Sequence, residues 1–119
     1  MGQVREVMST RLHTVEPADT VGEAVAVMAQ HRVGSVLIME GDRLLGIFTE
    51  RDTVRALSQA HDAARHEIVS WMTHDPKTVS PEEDSEAALR TMLDRGFRHL
   101  PVVDGGKVVG IVSMRDLAG

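Results

Sequence analysis

Apolar residues recur along this chain with two periods, and the chain passes from one to the other twice in the same order. Val21, Ala24, Val25 and Met28 fall at i, i+3, i+4 and i+7, the spacing of one buried helix face. Thr20, with Glu23 three residues on, forms a capping box that fixes the start of that helix. Two almost unbroken apolar runs follow, Ser35 to Met39 and Leu44 to Phe48, split by Gly41-Asp42. A glycine at the first central position suits the primed turns of a β-hairpin, and continuous apolar strands imply cover on both faces. A second helix is expected from Glu50 to about Ala60. Farther on, Ala88, Leu89 and Met92 carry a helix stripe that Gly96 is placed to end. His99 to Val103 and Val108 to Val112 then flank Gly105-Gly106, and a shorter helix begins near Met114. A short extended piece, His13 to Val15 or Lys77 to Val79, precedes each series.

The two series are copies. Displaced by 64 positions, residues 8–52 lie over 72–116 without a gap. Met8, Thr14, Val15, Pro17, Ala24, Met28, Gly41, Gly46, Ile47, Arg51 and Asp52 each meet an identical residue, and GIFTERD lies over GIVSMRD. The fold class is therefore α/β, a tandem of β-α-β-β-α repeats spanning 1–60 and 61–119. One repeat cannot cover a two-sided apolar sheet with its own helices, so the two are expected to pack sheet to sheet with pseudo-two-fold symmetry. Residues 53–71 join them, and a short helix from Glu67 to Met72 mirrors one from Val4 to Met8.

Composition narrows the function. The 119 residues contain no cysteine, so disulfides, thiolate metal sites and a cysteine nucleophile are excluded. No apolar run reaches the ~20 residues of a membrane helix, and MGQVREVMST lacks a signal peptide's hydrophobic stretch. A cytoplasmic protein, present whole, is expected. A net charge of −5 with dispersed acids argues against general nucleic-acid binding, though it leaves room for a local basic pocket. Six histidines raise a metal site, but His61 and His66 are five apart, on different helix faces, and His13, His31 and His74 have no carboxylate at ligand spacing. No nucleophile elbow, P-loop or G-x-G-x-x-G is present, so no enzyme is expected.

The most informative residues are Thr49 with Asp52 and their twins Ser113 with Asp116, each pair placed where a strand ends and a helix begins. There a hydroxyl, the first helical N–H groups and the helix dipole favour an anion, while a carboxylate three residues on can accept ribose hydroxyls. The same spacing is also an N-terminal capping box, and both roles can hold at once. Arg51 and Arg115 are either solvated charges or phosphate ligands. Arg98 and His99 open the second hairpin, where the first offers Gly34 and Ser35. Trp71 reads as a staple for a linker helix rather than a ligand platform.

With the pattern M-x5-T-V-x-P, a helix, a hairpin and G-I-x-[TS]-x-R-D, both copies resemble the cystathionine-β-synthase (CBS) domain, and together a CBS pair or Bateman module of the stand-alone bacterial type. The second copy, FRHLPVVDGGKVVGIVSMRDL, is the closer match; the first has Leu37 where Pro101 stands and Met39-Glu40 for Val103-Asp104. The resemblance implies a regulatory sensor with two clefts that take AMP, ADP, ATP, NAD or S-adenosylmethionine, no obligatory cofactor, and association into a homodimer. It puts ribose on Asp52 or Asp116 and phosphates near Thr49, Arg51, Arg98, His99, Ser113 and Arg115. His99 and Arg98 make the second site the expected stronger anion binder. The alternative is a ligand-independent interaction module in which both motifs only cap helices.

Overall fold

The computed structural model of the chain describes residues 2–118. Its first repeat runs β1 (Thr14–Val15), α1 (Val21–His31), β2 (Ser35–Glu40), β3 (Arg43–Thr49) and α2 (Glu50–Gln59). The second repeat opens with a short strand β4 (Thr73–His74) and continues with α3 (Ser85–Arg95), β5 (His99–Asp104), β6 (Lys107–Ser113) and α4 (Met114–Ala118). Short 3-10 turns lie at Val4–Glu6, before β1, and at Ala63–Arg65 and Ile68–Ser70, between α2 and β4. The mirrored helices expected at Val4 to Met8 and Glu67 to Met72 are thus single 3-10 turns.

The compact units cross the repeat boundary. His13–Pro76 fold together, whereas residues 2–12 fold with residues 77–118. Each repeat takes its last edge segment from the start of the other. In the first unit, β4 pairs antiparallel with β3, Thr73 lying opposite Ile47. In the second, Ser9 lies opposite Ile111, the same pairing 64 positions away. Burial explains the exchange. Val4 is wholly buried in one core with Val79, Met92, Leu100 and Val102, and Ile68 holds the matching place in the other with Val21, Val36 and Phe48.

Both hairpins have two-residue turns, and Gly41, Gly105 and Gly106 take positive φ values of 60°, 59° and 81° as such turns require. Each also carries a register shift that the sequence pattern does not announce, between Ile38 and Met39 and again between Val102 and Val103. In β2, Ser35, Val36, Leu37 and Ile38 are buried in succession, as expected of a strand covered on both sides. Thr20 caps α1 in the predicted reciprocal box, accepting from Glu23 N–H at 3.0 Å. Gly96 ends α3 in the left-handed conformation, φ 77°, and at the same place after α1 stands Arg32, with φ 56°.

The repeats differ in sheet continuity. The first has a four-stranded sheet in the order β1-β2-β3-β4, and the second a two-stranded sheet, β5-β6, flanked by single bridges. The cause is local. Leu37 N–H donates to the His13 carbonyl at 3.0 Å, extending β1 along β2. Its counterpart Pro101 has no N–H to give. Only Val79 N–H to the Pro101 carbonyl (3.0 Å) and Val103 N–H to the Val79 carbonyl (2.8 Å) remain, which hold a single bridge.

Candidate functional site

In both repeats the second hairpin strand runs straight into a helix, and this junction gathers the predicted residues. β3 ends at Thr49, opposite Ser35, and α2 begins at the next residue. The Gly34 carbonyl accepts from Glu50 N–H at 3.1 Å, tying the strand start to the helix start. β6 ends at Ser113, opposite His99, and the Arg98 carbonyl accepts from Met114 N–H at 2.8 Å. His99, Ser113 and Asp116 therefore meet at one end of the second hairpin, as Ser35, Thr49 and Asp52 do at the end of the first.

The capping geometry is realised in both. Asp52 Oδ2 accepts from Thr49 N–H at 3.0 Å and from Thr49 Oγ1 at 3.1 Å, while Asp52 N–H donates to Thr49 Oγ1 at 3.2 Å. Ser113 N–H donates to Asp116 Oδ2 at 2.9 Å, and Asp116 N–H donates to Ser113 Oγ at 3.1 Å. These bonds satisfy backbone donors that a helix start leaves over, and they fix each carboxylate's direction. Asp52 and Asp116 are half-buried, whereas Arg51 and Arg115 are exposed on the first turn. Arg98 is exposed and His99 is half-buried at the start of β5. In the first repeat the matching Ser35 is buried, 8% exposed.

Two features of the junctions escaped the sequence pattern. The first turn of α2 carries Glu50 as well as Asp52, whereas Met114 replaces Glu50 in α4. An anion approaching the first junction meets two carboxylates that already complement the helix dipole, and at the second it meets one. Aligning Glu50 with Met114 would have shown this. The second feature is Arg55, whose Nη2 donates to the Trp71 carbonyl at 2.8 Å and stands 3.5 Å from Asp52 Oδ1. Its guanidinium carbon lies 5.7 Å from the centroid of the Trp71 ring. Trp71 Nε1–H donates to His66 Nδ1 at 3.0 Å, and His66 Nε2 lies 3.1 Å from Asp62 Oδ1. Trp71 thus staples the segment after α2 as expected, and through Arg55 it also reaches Asp52. The i, i+3 spacing of Asp52 and Arg55 was the available signal.

No helix among the described residues is long and apolar enough to cross a membrane. Among them, no three His, Asp or Glu side chains gather as a metal site would need.

Comparison with known proteins agrees with this geometry. The CBS domain family matches the chain twice, over residues 4–59 and 65–119. The CBS domain-containing protein YhcV of Bacillus subtilis is 34% identical over 119 residues, which is 99% of this chain and 84% of YhcV. The CBS domain pair of protein MJ0100, solved with 5′-methylthioadenosine and S-adenosyl-L-methionine, superposes with a TM-score of 0.90 at 27% identity, covering 99% of this chain and 94% of that one. The CBS domain protein PAE2072 of Pyrobaculum aerophilum, solved with AMP, superposes with a TM-score of 0.87 at 25% identity, covering 96% and 88%. Two matched repeats with the same strand-end motif in each make the chain a tandem member of the CBS domain family.

Proposed function

We propose that this chain is a regulatory, non-catalytic module that binds an adenine nucleotide, with AMP the first candidate among AMP, ADP, ATP and NAD. The observation that carries the reading is the duplicated junction, where one oxygen of each carboxylate caps its helix and so aims the group that would take the ribose hydroxyls. The relatives solved with AMP, 5′-methylthioadenosine and S-adenosylmethionine share this fold along most of both chains, which supports an adenosine-bearing ligand. Ribose on Asp52 or Asp116 then puts phosphate within reach of the junction hydroxyls Thr49 and Ser113, the guanidiniums of Arg51, Arg98 and Arg115, and His99. The reading includes a homodimer in the cytoplasm, for which Val54 and Leu57 of α2, 71% and 45% exposed, supply apolar surface.

A ligand regulates by binding one arrangement of the module better than another, so a differential affinity is the whole of the mechanism required. Calorimetry of the chain with AMP, ADP, ATP, NAD and S-adenosylmethionine tests the proposal. Binding by at least one of them at micromolar concentration, lost in the Asp52→Ala, Asp116→Ala double variant, supports it. Absence of binding below millimolar concentration in a folded chain would leave both motifs as helix caps only.

A further inference from the structure

We propose that Arg55 is a selectivity residue of the first-repeat site, favouring adenosine ligands that carry an anion over neutral or cationic ones. This deepens the nucleotide reading and rests on it.

The carboxylate of Asp52 has two oxygens in different positions. Oδ2 accepts twice from Thr49, at 3.0 and 3.1 Å, and is committed to the helix cap. The acceptor capacity left for a ligand diol is concentrated on Oδ1, the oxygen that faces Arg55 at 3.5 Å. A ribose therefore reaches Asp52 by taking the place of the guanidinium.

Arg55 is not a loose surface side chain. Its Nη2 is bonded to the Trp71 carbonyl at 2.8 Å, and its head lies over the indole at 5.7 Å. The indole is held in turn by its N–H bond to His66 at 3.0 Å, the two rings lying within 16° of parallel with centroids 6.1 Å apart. The Asp52 contact is long for a charge-assisted bond, so it is the weaker of the two polar contacts and the one that yields. A guanidinium has five N–H donors, and only Nη2 is engaged by the Trp71 carbonyl and Asp52, so donors remain for an incoming anion. An anionic group on the ligand restores the charge pairing that Asp52 gives up. A neutral ligand leaves it unrestored, and a sulfonium adds a second cation beside it. The second repeat has no such device, since Gly119 and Val7 occupy the sequence positions matching Arg55 and Trp71.

Trp71 is the chain's one tryptophan and touches Arg55, so its emission reports on this site. The experiment titrates the full chain, as wild type, Arg55→Ala and Arg55→Lys, with AMP and with 5′-methylthioadenosine, following Trp71 emission and heat. Wild type is expected to prefer AMP at the site that perturbs Trp71. Arg55→Ala should cut that preference about tenfold, the loss of one charge-assisted bond, and Arg55→Lys should recover part of it. An unchanged AMP to methylthioadenosine ratio in Arg55→Ala, or an equal fall in both affinities, overturns the selectivity role while the nucleotide reading stands. Failure of every chain to bind either ligand overturns both.

Discussion

Gly46 faces Met72 so closely that a Cβ on it would stand 2.6 Å from the Met72 sulfur, and 2.7 Å from the Thr73 carbonyl. The second repeat reproduces the approach, with Gly110 against Met8 at 2.7 Å and Ser9 at 2.9 Å. These two glycines survive the duplication because each hairpin must admit a borrowed edge segment. Gly46→Ala and Gly110→Ala are each expected to cost about 1–3 kcal/mol through overpacking against backbone that cannot retreat. Urea unfolding of the two variants checks this, and a cost below half a kcal/mol for both would show that the segment yields.

Val4 carries the same exchange into the core. It is wholly buried among second-repeat residues, so Val4→Ala is expected to destabilise by about 2 kcal/mol, two methyl groups and part of their cavity. Hydrogen exchange should place the loss in β5 and β6. Protection lost first in β2 and β3 would contradict the assignment of the N-terminal segment to the second repeat's core.

Arg32 holds a left-handed conformation, φ 56°, at the position where the other repeat has Gly96. Arg32→Gly is expected to raise stability by roughly 0.5–1 kcal/mol by relieving the Cβ strain, and Gly96→Ala to lower it by a similar amount. Paired thermal melts read both signs. Two destabilised variants would mean that the Arg32 side chain matters more than its backbone.

The two junctions should bind unequally. The second has Arg98 and His99 where the first has Gly34 and Ser35, and Met114 where the first has Glu50. Asp116→Ala is therefore expected to weaken AMP binding more than Asp52→Ala, by about 1–3 kcal/mol, the value of charge-assisted bonds to phosphate. His99→Asn should narrow this difference, because it removes the imidazole that the second junction has where the first has Ser35. Equal losses from the two Asp variants would show the sites to be equivalent.

The elements themselves were legible in the chain. The i, i+3, i+4, i+7 stripe with its Thr20–Glu23 box, the glycine turns and the 64-residue displacement rest on local rules, since capping, turn geometry and helix periodicity involve residues close in sequence. The capping bonds of Asp52 and Asp116 were readable for the same reason. Which segment completes which sheet was not. Val4 and Ile68 look alike to any local rule, and only the match between a borrowed edge and a particular hairpin, at Gly110 or Gly46, decides where each is buried. The unequal sheets needed both levels. Pro101 was visible as a missing donor, but its consequence required the Leu37 bond to His13 as a comparison. The surroundings of Asp52 were likewise settled by tertiary structure, because Trp71 is remote in sequence and becomes Arg55's anchor only once the segment after α2 has folded back.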